Sequence, residues 1–476
     1  MRTACGCDIH PGGLSRRDML RRAGLGVGSL ALASMLSEQK LLAAQGESPV
    51  LGTHIVPRAK RVIVLFMGGG PSQVDTFDPK PELTKLDGKD VPESIARGIT
   101  QKHRVHLNNL FASPWKFKQY GQSGLPVSEL FPEVGKRVDD LCIIRSMRHP
   151  SPVHSPAEYI ALTGSQGGER PSLGAWVTYG LGSENQNLPA FVAMLSGTDP
   201  GEPSKTPGWS NGFLPARYQA TRIRDGGIPN LALPAEYTME DRRRQMQLLE
   251  EFNRRHLEEH LEETELDARI RSYEMAYRMQ TAAPEVFDLS GETPATRKLY
   301  GLDEKETADF GKDCLLARRL VERGVRFVQL RLAFWDAHAK IVENHTQLAR
   351  KSDRPIAALL IDLKQRGLLD DTLVVWGGEF GRTPGAEATG KDTGRDHNCS
   401  GYTMWLAGGG VKGGQAIGAT DAVGYAAIER PIHPNDLHAT ILHALGIDQN
   451  RLWYEHHNRH EKVTVNGGEV VREVFA

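Results

Sequence analysis

The chain has 476 residues, 39% of them hydrophobic and 25% charged, with a formal net charge of -1. That is the composition of an ordinary globular protein; it excludes a disordered chain and offers no basic surface for nucleic acid or an anionic membrane. Five cysteines are too few for a disulfide scaffold.

Cys5 and Cys7 precede Ser15-Arg16-Arg17-Asp18-Met19-Leu20-Arg21, a run that resembles the twin-arginine export motif. The apolar stretch 23–36 that follows has 14 residues, short of the roughly 20 that cross a bilayer. Glycines at 24, 26 and 28 would weaken a helix there. A basic, then apolar, then small-residue order reads as a targeting segment. Residues 1–44 are therefore assigned to a twin-arginine signal, with cleavage near Ala43-Ala44 or retention as an anchor both open, and 45–476 to one domain. The expected partner in transit is the twin-arginine export machinery, and the expected location is periplasmic or extracellular. No later stretch reads as a membrane span.

Apolar, β-branched runs ending in polar or glycine-rich turns recur at 61–70, 141–147, 188–195, 325–332, 371–376 and 402–410. Such runs suit strands covered on both faces, as in a parallel sheet. Helical periodicity alternates with them: 308–324 stops at Gly324, and 354–367 starts at a proline and stops at Gly367. Cys142 falls in a strand and Cys314 in a helix, both as small core residues. The alternation predicts an open α/β sheet with helices on both faces. Residues 197–230 read as loops. The stretch 236–281 is dense in Glu, Arg and Met, with Met246, Leu249, Phe252 and Leu257 at helical spacing, and reads as an exposed helix or helix pair. Together, about 197–295 forms a predicted helical insertion.

In open α/β sheets the site lies beyond the carboxyl ends of the strands. Asp336-Ala337-His338 follows strand 325–332, Glu379 and Arg382 follow 371–376, and Asp396-His397 precedes 402–406. Asp-x-His on an extended segment points both side chains one way. Singly, each residue would be read as a cap or surface ion pair. Three such clusters at one sheet edge predict a site for a divalent ion with mixed oxygen and nitrogen ligands.

The run 367–382 (GLLDDTLVVWGGEFGR) resembles the turn, strand and metal-binding loop of the sulfatase and alkaline-phosphatase superfamily, and 434–448 resembles its C-terminal helix. More closely, the set Gly68-Gly69-Gly70-Pro71-Ser72 with Asp75-Thr76-Phe77-Asp78-Pro79, His154-Ser155 with Thr163-Gly164, Trp335-Asp336-Ala337-His338, Gly378 to Pro384, and Gly394-Arg395-Asp396-His397 resembles the domain-of-unknown-function 1501 family. The resemblance spans roughly 58–450 and implies an alkaline-phosphatase-like three-layer α/β/α fold around a mostly parallel sheet. The strand-end loops offer Asp336, His338, Glu379, Asp396 and His397 as metal ligands, with Asp75 as a substitute after the first strand, for Zn, Mn, Mg or Ca.

This chain departs from the superfamily pattern in three places. Gly68-Gly69-Gly70 stands where sulfatases place adjacent aspartates, so Asp75 or Asp78 would have to substitute. The position of the formylglycine precursor falls on His154, which excludes that chemistry. Phe380 replaces a histidine, which favours one metal over two. Ser155-Pro156-Ala157-Glu158 reads as a capping box for a helix 156–162. It reads equally as a nucleophile, with His154 as base and Arg382 as an oxyanion contact. Two functions follow: a metal-dependent hydrolase of small-molecule or polysaccharide sulfate or phosphate esters, or a non-catalytic exported binding protein that keeps the fold.

Overall fold

The computed structural model describes residues 51–97, 109–195, 207–223, 238–259, 285–388, 392–465 and 467–476, with Glu274, Met275, Arg278 and Gly390 besides. The twin-arginine segment and Ala43-Ala44 lie outside the described residues, all of which fall in the compact unit Leu51–Ala476.

Eight strands form one sheet: β1 Arg61–Met67, β2 Leu141–Met147, β3 Phe191–Leu195, β4 Thr221–Ile223, β5 Phe327–Leu332, β6 Thr372–Gly377, β7 Tyr402–Ala407 and β8 Gln415–Ile417. Their order is β8-β2-β7-β6-β1-β5-β3-β4. Strand β7 runs antiparallel to both its neighbours, and every other pair is parallel. The alternation of each strand splits the core. Ile63, Leu65 and Met67 join one apolar cluster with Leu316, Leu320, Ile356 and Leu359, and Val62, Val64 and Phe66 join another with Trp176, Leu437 and Ile441. Helices therefore cover both faces, giving the three-layer α/β/α arrangement with a mostly parallel sheet. They are α1 His154–Thr163, α2 Leu173–Leu181, α3 Met239–Glu259, α4 Ala308–Glu322, α5 Ile341–Gln365 and α6 Pro434–Ala444. Among the described residues no helix is long and apolar enough to cross a membrane.

Three expectations are corrected. Helix α5 begins at Ile341 and passes through Pro355 instead of starting there. An internal proline costs about 3 kcal/mol. Here it is offset by burial on both sides of the break: Leu348, Ala349 and Ser352 before it, Ile356, Leu359 and Leu360 after it. The stretch read as loops contains β4, which pairs with β3 at the sheet edge, and it buries Trp209 and Leu214. A three-residue strand carries too little alternation to be read from sequence. Helix α1 starts at His154 with Val153 at its cap position, so Ser155 lies inside the first turn and no side chain caps it. The predicted helix over 236–281 is described as α3, whose Leu248 and Phe252 are exposed; most of the remainder lies outside the described residues.

The register fixes the site. Met67 pairs with Leu332, and Phe66 pairs with Gly377, so β1, β5 and β6 end side by side. Because β7 runs the other way, the segment entering it also lies at that carboxyl edge.

Candidate metal centre

After β1 the chain turns through Gly68-Gly69-Gly70. Gly69 and Gly70 have φ of +106° and +81°, a region glycine enters without steric cost. A Cβ on Gly69 would lie 2.5 Å from the Asp336 nitrogen, and one on Gly70 2.6 Å from the Phe380 ring. Bare backbone at these positions lets the loops after β5 and β6 close over the first strand.

Asp336 is the centre of the cluster. Its Oδ1 lies 3.0 Å from His338 Nε2, 3.2 Å from His397 Nε2 and 2.6 Å from Arg382 Nη2. Its Oδ2 lies 3.1 Å from His154 Nε2, and the Nε2 atoms of His338 and His397 are 2.9 Å apart. The opposite nitrogen of each ring meets an oxygen. His154 Nδ1 is 2.7 Å from Glu379 Oε1, His338 Nδ1 is 2.5 Å from Glu387 Oε2, and His397 Nδ1 is 2.7 Å from the Pro152 carbonyl. Carbonyls and carboxylates accept, so each Nδ1 carries a proton; an Nε2 without one turns a lone pair toward Asp336, and an Nε2 with one donates to it. Three lone pairs and a carboxylate facing one point repel unless a cation or shared protons lie between them. His154 Nε2 is buried and makes no well-directed hydrogen bond.

Ligand atoms of His154, Asp336, His338 and His397 all lie within 4.8 Å of one another. A three-nitrogen, one-oxygen set fits a zinc-like ion, whose bonds to such atoms run about 2.0–2.2 Å. Protons compete for the same point. Burial opposes charge on His154, but Asp336 and Glu379 hold its pKa up at about 9. The hydrogen bond that Asp336 accepts raises His338 against the effect of burial, whereas burial keeps His397 below its ordinary value. Burial would raise Asp336, yet the three imidazoles and Arg382 hold it far below the usual carboxylate range.

The other expected site residues stand around this group. Glu379 is fully buried behind His154. Its carboxylate accepts from the Gly69 amide at 2.9 Å, and its carbonyl accepts from His149 Nε2 at 2.6 Å. It is placed to orient a ligand rather than to be one. Arg382 is also fully buried. It donates to the carbonyls of Gly69, Gly70 and Arg395 and to Asp336, so its donors hold the loops and aim Asp336. Asp396 accepts from the His397 amide at 2.8 Å and forms a second acidic group with Glu387 and His338. Asp75 lies in a buried pair with Arg395 Nε at 2.8 Å and takes the Ser72 hydroxyl at 2.6 Å. It is outside both groups that could hold an ion. Ser155 follows His154 in the first turn of α1 and is half-buried. Phe380 stacks on His397 with ring centroids 4.5 Å apart and lies 5.0 Å from His154, a wall against which two rings are fixed.

Glu387 and the Pro152 carbonyl were not singled out from sequence. Glu387 sits mid-loop, away from any strand end, and a carbonyl has no residue-type signal. His154 was singled out, but as a base rather than a ligand.

The family model described as "Protein of unknown function (DUF1501)" matches residues 59–475, and the chain belongs to that family. No curated protein sequence matches it. Among solved structures, the lipoteichoic acid synthase LtaP from Listeria monocytogenes is similar at 10% identity over 83% of this chain and 76% of that one, with a TM-score of 0.38. A sulfatase from Pseudoalteromonas sp. is similar at 13% identity over 87% and 70%, with a TM-score of 0.35. The C-terminal periplasmic domain of EcEptC from Escherichia coli, in complex with Zn, is similar at 9% identity over 90% and 99%, with a TM-score of 0.34. Likeness this distant says nothing of chemistry, and the layered sheet stands on its own hydrogen bonding.

Proposed function

We propose that this member of the family is an exported, metal-dependent hydrolase of sulfate or phosphate esters, its ion held by His154, Asp336, His338 and His397. The observation that carries this reading is the convergence of three Nε2 atoms on one carboxylate, with every Nδ1 tied back to an oxygen acceptor. That outer ring of partners is the arrangement metal-binding histidines use to fix their tautomer. A divalent ion bound by three neutral imidazoles and one carboxylate keeps net positive charge and would act as a Lewis acid on an anionic ester. Asp336, aimed by Arg382, balances part of that charge. Ser155, one residue from His154, is the nucleophile in this reading, or it positions a water. The ester class rests on the resemblance of 367–382 and 434–448 to the sulfatase and alkaline-phosphatase superfamily.

The test is metal analysis of the purified full chain, followed by assay of the loaded protein on sulfate monoesters, phosphate monoesters and phosphodiesters. About one bound ion per chain and turnover of one class support the reading. Absence of bound ion after loading with Zn, Mn, Mg and Ca ends it. A binding protein without turnover remains the second reading, favoured by the engagement of four of the five Arg382 N–H donors with protein acceptors, which leaves at most one for an oxyanion. Export by the twin-arginine route rests on residues 15–36, and replacing Arg16 and Arg17 with Lys is expected to retain the precursor in the cytoplasm.

A further inference from the structure

Two residues before Asp336, Phe334 combines two unusual properties. Its φ is +78°, in the left-handed region that bulky residues rarely enter, and its side chain is 49% exposed. The neighbours explain how the strain is held. Trp335 next to it is fully buried and its amide donates to the Gly68 carbonyl at 3.0 Å. The Phe334 carbonyl accepts from Asn344 Nδ2 at 2.9 Å. The backbone is thus pinned on both sides, and the ring stays half exposed, so burial repays only part of the strain. A glycine would satisfy the same backbone without cost. Strain of this kind persists where a side chain is needed in place, and it clusters at functional sites. Val153, 50% exposed, immediately precedes His154. Exposed apolar side chains thus stand one residue before His154 and two residues before Asp336.

We propose, resting on the metal-centre reading above, that Phe334 is a specificity residue that takes the flat apolar face of a ring in the esterified group, aryl or sugar. The ion and its ligands would hold the anionic end, and the phenyl ring would select what is attached to it. Ring-on-ring contact of this type is worth roughly two- to tenfold in affinity.

The test is titration calorimetry on the zinc-loaded full chain with the phenyl, glucose and glycerol monoesters of phosphate and of sulfate. The native protein should bind at least one ring ester about two- to tenfold more tightly than the acyclic glycerol ester. Preference for the phenyl ester alone assigns an aryl group; preference for both assigns rings generally. Phe334→Gly should abolish the preference, keep the glycerol ester's affinity and the zinc stoichiometry, and leave the thermal midpoint unchanged or raised. Phe334→Tyr should keep the preference. Equal binding of ring and glycerol esters by the native protein, or a preference that survives in Phe334→Gly, overturns the proposal while the metal centre stands. Binding of none of these esters overturns the ester reading and this proposal together.

Discussion

Two buried polar clusters in this protein are built on opposite principles. One lies between α4 and α5. There Arg318 donates from Nε to Asp362 at 2.9 Å, from Nη1 to Glu322 at 2.6 Å and from Nη2 to Glu292 at 2.8 Å. Asp362 also accepts from Tyr300 at 3.0 Å and from Arg366 at 2.6 Å. Each charge meets an opposite charge within hydrogen-bonding reach, and the cluster is closed. The other lies at the carboxyl edge of the sheet, where three imidazoles turn Nε2 atoms toward the one carboxylate of Asp336. Beside Arg382, only protons on those rings or an added cation make the three Nε2 contacts to the carboxylate attractive. Both contain buried ionisable groups, and burial alone does not tell a structural cluster from a functional one. The balance of donors against acceptors does.

The comparison is broken most severely by Asp362→Ala. Removing the carboxylate takes the shared acceptor from Arg318, Arg366 and Tyr300; Glu292 and Glu322 stay on Arg318, so the cost falls toward the low end of the range for a broken buried pair, about 3 kcal/mol. Urea unfolding of the variant should show this loss, while metal stoichiometry at the sheet edge stays unchanged. The second change acts the other way round. Zinc at a hundredfold over its dissociation constant should stabilise the native protein by about 2.7 kcal/mol. In His397→Ala that increment should vanish, while the metal-free protein unfolds close to the native midpoint. A large loss of stability in metal-free His397→Ala would mean that this cluster too is structural.

A smaller effect is expected from Glu379→Gln, which keeps an acceptor for the Gly69 amide but removes the charge behind His154. Changes at such outer positions cost roughly 10–100-fold in metal affinity. Competition with a chromophoric chelator would read it, and unchanged affinity would remove Glu379 from the centre's support. The last is a pH dependence. His154 is held up at about 9, so below that pH an incoming ion must displace a proton. Zinc affinity should therefore rise with pH between 7 and 9, by up to about tenfold per unit for one displaced proton. An affinity flat over that range would place the exchanged proton elsewhere.

Much of this was legible from the chain itself, for reasons that can be named. The strands are apolar on both faces because helices cover both faces, so the runs at 61–67, 141–147 and 371–376 stand out against their polar turns. Asp336, His338 and His397 were found because strand ends carry them. That His154 joins them was not legible, because which of its nitrogens faces Asp336 is set by Glu379, in a loop remote in sequence. Asp75 was expected as a ligand from its place after the glycines, but Arg395 takes its carboxylate, a pairing across the chain that no spacing announces. The direction of β7 was equally hidden. Had it run parallel to β6, His397 would have entered from the opposite edge.

The direction of β7 has a consequence for how this site could change over generations. Strands β6 and β7 are hydrogen-bonded neighbours, so residues 378–401 leave the sheet and return beside their point of departure, about 4.8 Å away. Gly381 and Arg382 pair with Asn398 and His397 as a two-stranded ribbon, which cinches that excursion at its base. Beyond the ribbon, Pro384 and Ala386 bond to the segment around Asn109, and Asp392, Thr393 and Arg395 bond to the segment 337–341. Doubling the length of such an excursion costs only about 0.6 kcal/mol of closure entropy. Insertions beyond Glu387 could accumulate in a lineage while the ribbon kept His397 opposite Arg382. The part up to Glu387 and after Thr393 is tied to His338 and Asp75, so room for such change lies between Glu387 and Thr393.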